Sequence, residues 1–127
     1  MSITEDGIDG ETRARKYLNH KGIFDIQQFD WFVKIKDKYF IIEVKVKDLF
    51  FPPPFLGTGL EVKQIERRRQ IFYDLGIDTI LVIFEKGTNK VYYNYLSKLE
   101  ETEYFDTKNN IRIYNIKNFK IDVFELD

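Results

Sequence analysis

The stretch DWFVKIKDKYFIIEVK, from Asp30 to Lys45, constrains this chain more than any other. It reads as a β-hairpin, one arm from Asp30 to Lys36 and the other from Tyr39 to Lys47, with Asp37 and Lys38 as a two-residue turn. Successive side chains on a strand point to opposite faces, so parity decides which residues meet. A turn at 37–38 pairs 36 with 39, 34 with 41, 32 with 43 and 30 with 45. One face then carries Trp31, Val33, Ile35, Phe40, Ile42, Val44 and Val46, which is apolar throughout and has to be a core face. The other carries Asp30, Glu43 and Lys45, with Lys34 and Lys47 nearby. A register slipped by one residue would move Asp30 to the face opposite Glu43 and Lys45.

The rest of the chain supplies layers for this hairpin. With 127 residues it makes one domain, and 43% hydrophobic with 17% aromatic residues is ample for a core. A helix is expected from about Ile8 to His20, with Asp6 as N-cap and Gly22 just past its end. Its inward stripe is Ile8, Ala14, Tyr17 and Leu18, and Glu11 falls within that stripe. A carboxylate there needs a partner, such as a flanking arginine, or a chemical task. A short strand follows from Ile23 to Gln28, then the hairpin. The segment LFFPPPFLGTG, Leu49 to Gly59, reads as a loop stiffened by three prolines. It suits a lid or subunit contact, or alternatively an apolar wedge entering opened or branched nucleic acid.

Thr58-Gly-Leu-Glu61 reads as a capping box opening a second helix that runs to Leu75 and closes at Gly76. Val62, Ile65, Phe72 and Leu75 are its expected inward residues. Three arginines, 67–69, cannot share one side of it; one lies along the core edge and the others are available for phosphates or for Glu61 and Glu66. Thr79 to Phe84 is apolar on both faces and reads as a central strand, parallel to the second hairpin arm through the crossover helix. Lys90 to Leu96 reads as a further strand, Ile111 to Ile116 and Ile121 to Leu126 as edge strands or a terminal cap, and Ser97 to Thr107 as a loosely patterned acidic stretch. The sum is one mixed sheet in the order α-β-β-β-α-β with a β-rich tail.

Net charge is −1, so any affinity for nucleic acid has to come from local basic stripes, for which Arg13, Arg15, Lys34, Lys47, Lys63 and arginines 67–69 are the candidates. Without cysteine there is no disulfide framework and no thiolate metal site. No signal peptide and no apolar run of membrane-spanning length is evident, which points to an intracellular, cytoplasmic setting without membrane partners.

The polar face of the hairpin suits metal-assisted phosphodiester hydrolysis. Asp30 and Glu43 offer hard oxygen ligands for Mg²⁺ or Mn²⁺, and the carbonyl of Val44 between Glu43 and Lys45 offers another. Such an ion polarises a phosphoryl group and lowers the pKa of a water. Lys45 can position that water and stabilise developing negative charge. Glu-x-Lys alone is a weak signal, since alternating Glu and Lys decorate many solvent-facing strands; here the apolar opposite face and the hairpin partner add weight. The lone His20, near a helix end, reads as a dipole partner rather than a base.

Asp30, followed thirteen residues on by Glu43-Val44-Lys45, resembles the D…(D/E)xK signature of the PD-(D/E)XK nuclease superfamily. Glu11, after Gly7 and Gly10, is placed like the helical glutamate of archaeal Holliday-junction-resolvase-like endonucleases, and Gln64 like a site-lining glutamine of many members. Phe29 stands where the proline of the name would precede Asp30, and Arg68 stands where exonuclease-type members carry a tyrosine four residues after the glutamine. The resemblance covers Ile8 to about Phe84. It implies an α/β restriction-endonuclease-like core at 8–84, a mixed sheet flanked by helices, with a β-rich C-terminal extension at 85–127. It further implies a metal-dependent DNA endonuclease with Asp30, Glu43, Val44 and Glu11 around Mg²⁺ or Mn²⁺, Lys45 at the water, Gln64 orienting Lys45 or a phosphate, and a homodimer making two cuts. The alternative is a catalytically inactive module of the same fold that binds nucleic acid or serves as a subunit. A structural interaction protein using the aromatic loop and acidic tail would show no DNA affinity at all.

Overall fold

The computed structural model describes residues 26–27 and 32–123. The expected first helix, Glu11, Asp30 and Trp31 lie outside the described residues. The described chain runs β1 (Ile26–Gln27), β2 (Phe32–Ile35), β3 (Lys38–Lys47), β4 (Gly57–Glu61), α1 (Val62–Leu75), β5 (Thr79–Glu85) and β6 (Lys90–Tyr95). It continues through α2 (Leu96–Leu99), β7 (Tyr104–Asp106), β8 (Ile111–Asn115), a 3₁₀ turn (Ile116–Asn118) and β9 (Lys120–Val123).

Among the described residues the hairpin forms with its face assignment intact and its turn moved by one residue. Lys36 and Asp37, not Asp37 and Lys38, are the turn, and both have positive φ (47° and 68°), as a tight hairpin turn with matching twist requires. Phe32 therefore pairs with Ile41 rather than with residue 43. Moving a two-residue turn by one position shifts the register by two, and a shift of two preserves parity. Val33 and Ile42 are buried with Val82, Phe84 and Val91, and Ile35, Phe40, Val44 and Val46 pack against them.

The main sheet has six strands in the order β1-β2-β3-β5-β6-β9. β3 and β5 are parallel, from Ile41 opposite Thr79 to Lys47 opposite Glu85, and the other neighbours are antiparallel. β5 is central because its sequence is apolar on both faces: Val82 and Phe84 enter one core, Leu81 and Ile83 the other. That second core also holds Leu60, Ile65, Tyr92, Leu96, Leu99, Tyr114 and Phe119. The fold is α/β, a mixed sheet with flanking helices. No helix among the described residues is long and apolar enough to cross a membrane.

The single-sheet expectation is corrected. β4, β8 and β7 form a separate three-stranded antiparallel sheet. This also corrects the start of α1. Thr58 is buried in β4 opposite Tyr114, so it caps nothing, and the helix begins at Val62 with no side-chain cap at Glu61. Val62 N–H instead donates to the carbonyl of Asn110, at the β7–β8 turn, at 2.9 Å. Gly57 and Gly59, expected in a loop, are strand residues whose lack of a side chain lets two backbones touch: a Cβ at Gly59 would lie 1.7 Å from the Arg112 carbonyl oxygen. The end of α1 is as expected, with Gly76 left-handed (φ 71°) and its N–H on the Phe72 carbonyl. Only Ile65 of α1 is buried; Phe72 and Leu75, expected to face inward, are exposed because the helix meets the core through its first half. The acidic stretch after β6 contains α2 and β7.

Candidate functional site

β3 turns Ile41, Glu43, Lys45 and Lys47 to the face that also bears Leu81 and Ile83 of β5, the face on which Ile65 of α1 packs. Ile41 N–H donates to the Asp78 carbonyl and the Lys47 carbonyl accepts from Lys86 N–H, so odd-numbered residues of β3 direct their backbone groups to the β5 side. Val44 therefore directs its carbonyl to the other edge. The described pairing there ends at Phe32 opposite Ile41, so among the described residues no ladder bond reaches it. Glu43 and Lys45 thus share a face, with a main-chain oxygen between them at the strand edge.

Arg68 of α1 reaches down to this face. Its Nε and Nη2 both donate to Oε1 of Glu43, at 3.1 and 3.0 Å. Both side chains are largely withdrawn from water (24% and 15% exposed), so the ion pair is poorly screened. Both donors use one carboxylate oxygen, and among the described residues Oε2 accepts no hydrogen bond. Gln64 is half-buried and stands four residues before Arg68, hence on the same side of the helix. Lys45 is half-buried and has no ion-pair partner among the described residues. Lys47 donates to the Gly59 carbonyl at 2.8 Å. Burial first, then the charge of Lys45, pull the Lys47 pKa down, against a smaller opposing effect of Glu61.

Of the residues singled out in the sequence, the structure places Glu43, Val44 and Lys45 together and puts Gln64 on the neighbouring helix. Glu11 and Asp30 lie outside the described residues. Among the described residues no three acidic, histidine or cysteine side chains gather as a metal cluster. The oxygen donors Glu43 Oε2 and Val44 carbonyl fit a hard divalent cation as part of its shell. The sequence singled out Arg68 by its spacing of four from Gln64 but gave it no partner; that it meets Glu43 was not foreseen. Arg69, next to it, pairs with Glu100 at 3.1 Å.

No family model and no curated protein matches this chain. Among solved structures, it is similar to Hjc of Archaeoglobus fulgidus, a Holliday junction resolvase from an archaeal hyperthermophile. The TM-score is 0.53 at 16% identity, over 85% of this chain and 88% of that one. The likeness is one of fold, and the core is restriction-endonuclease-like.

Proposed function

We propose that the chain is a metal-dependent DNA endonuclease of the PD-(D/E)XK type, acting as a homodimer on branched DNA. One observation carries this reading: Glu43 and Lys45 occupy the same face of a central strand in a fold similar to that of a junction resolvase. In it, Asp30, Glu43, the Val44 carbonyl and Glu11 hold Mg²⁺ or Mn²⁺. The ion supplies phosphoryl polarisation and activation of water. Lys45 donates from Nζ to the attacking water or to a non-bridging phosphate oxygen, stabilising charge as it develops. Gln64 orients Lys45 or the phosphate. The test is cleavage of labelled four-way junction, flap, duplex and single strand, with Mg²⁺, Mn²⁺ or EDTA. Metal-dependent cutting is expected; cutting undiminished by EDTA would overturn the mechanism.

In this reading Arg68 fixes the Glu43 carboxylate through Oε1 and leaves Oε2 for the ion, while its own charge weakens the hold on a cation. Arg68→Gln is expected to bind Mn²⁺ about three- to tenfold more tightly, roughly 0.6–1.4 kcal/mol, because a repelling charge is gone. The same variant should cleave more slowly, because the carboxylate is less well fixed. Electron paramagnetic resonance titration and single-turnover cleavage measure the two separately. A matched loss of both would show that Arg68 merely supports the fold.

The same ion pair is also what favours the second reading, an inert nuclease-fold module, since an arginine can satisfy Glu43 with no metal present. Such a module would show no Mn²⁺-dependent rise in Tm, and Asp30→Asn would leave that result unchanged.

A further inference from the structure

The loop between β3 and β4 is built as a rigid mount for one exposed aromatic side chain. Phe50 N–H donates to the Gly57 carbonyl at 2.8 Å and Gly57 N–H returns to Phe50 at 2.9 Å, closing the loop at its feet. Phe50 and Phe55 turn inward and meet Phe105 of β7 edge-on, with ring centroids 5.0 and 5.6 Å away. Ile116 N–H binds the Leu56 carbonyl at 2.8 Å, and Lys47 holds the Gly59 carbonyl. A Cβ on Gly57 would stand 2.2 Å from the Tyr114 carbonyl oxygen, so the loop's trailing foot is pressed against β8. Above this base stand three exposed prolines and Phe51, which is 72% exposed. The small second sheet, absent from the sequence-based expectation, anchors the loop.

We infer that Phe51 is a wedge that stacks into DNA at a break in base stacking, a branch point or the root of a flap, beside the cleavage site proposed at Glu43 and Lys45. The inference rests on the endonuclease reading above. The loop leaves the end of β3 directly after Lys47, so the tip belongs to the Lys45 end of the site. Lys45 and Lys47 lie at that end and Lys86 N–H bonds the Lys47 carbonyl; exposed Asp48, Glu61, which acts on Lys47, and Glu85, which accepts from Tyr92, are the opposing charges. Three lysines against three carboxylates leave that end close to neutral, so it is size that favours nucleic acid over protein. One phenyl ring among prolines matches a single base step, whereas a stable protein contact buries about 800 Å² on each partner. Proline stiffness and the three-ring mount mean that little conformational freedom is lost on insertion. A wedge enters where a base is already unstacked at lower cost than it enters a continuous duplex, so Phe51 confers selectivity for interrupted stacking.

The experiment compares wild type, Phe51→Ala and Phe51→Trp in EDTA, on a four-way junction carrying 2-aminopurine at the branch and on a linear duplex of the same sequence. Phe51→Ala is expected to lose tenfold or more in junction affinity, leave duplex affinity unchanged and abolish the 2-aminopurine change. Phe51→Trp retains the preference. The Tm is expected to be unchanged, since the side chain contributes little to the core. Equal junction binding by Phe51→Ala and wild type overturns the inference. So does conversion of a dimer to a monomer by Phe51→Ala, which would make the tip a subunit contact. Failure of the wild type to bind either DNA overturns the endonuclease reading itself.

Discussion

Lys45→Ala is expected to lower metal-dependent cleavage by about 10²–10⁴-fold, the range over which a positioned proton donor or acceptor contributes. Folding should be untouched. Lys45 holds no ion pair among the described residues, and its charge acts against Lys47 by drawing that pKa down. Removing it relieves a repulsion between two cations on one strand face, so the Tm should stay level or rise slightly. Lys45→Arg should restore only part of the rate, because a planar fork does not replace a compact ammonium. Lys47→Ala is the useful contrast. Its Nζ supports the Gly59 carbonyl, so its loss should disturb the loop mount more than the chemical step. Single-turnover cleavage alongside thermal unfolding separates the two residues. Full activity in Lys45→Ala would rule out the proposed role.

What could be read from the sequence followed the range of the forces involved. Hairpin parity was legible because an apolar face and a polar face cannot exchange without exposing Val33 and Ile42. The turn itself was misplaced by one residue, because Lys36 at positive φ has no local advertisement in its side chain. β5 was legible because a strand apolar on both faces has to be central. Thr58-Gly-Leu-Glu61 misled because a local capping pattern lost to non-local pairing: burying Thr58 and Leu60 against β8 outweighed an exposed cap. Nothing local marks β4 and β8 as partners, and the two glycines that permit their approach read equally well as loop residues. In the candidate site, Glu43 and Lys45 on one face were legible from alternation alone. That Arg68, not Arg67 or Arg69, meets Glu43 depends on how α1 docks, which a sequence of three adjacent arginines does not specify.

The largest loss of stability is expected from Glu100→Ala, about 3–5 kcal/mol, the cost of stripping one partner from buried charges. The Glu100 side chain is 4% exposed and accepts from Arg112 Nη1 at 2.8 and 3.0 Å and from the Tyr114 hydroxyl at 2.7 Å. Tyr114 is fully buried, and burial first, then Glu100, push its pKa well above the usual phenol range. Deleting the carboxylate leaves that hydroxyl without its acceptor, and Arg112 is left with the more exposed Asp106 and the Tyr104 ring. Glu100→Gln should cost less, since an amide oxygen still accepts from Tyr114. Tyr114→Phe should also cost less, since Glu100 keeps its arginines. Urea unfolding with a constant m-value measures all three, and a Glu100→Ala midpoint equal to wild type would show that the network is not what secures this corner. The consequence extends to the site. Glu100 also holds Arg69, and Arg69 adjoins the arginine that fixes Glu43, so α1 is tied at neighbouring positions to β3 and to the end of α2. Glu100→Gln, still folded, should therefore loosen the Arg68–Glu43 contact and slow cleavage at temperatures where the protein remains native.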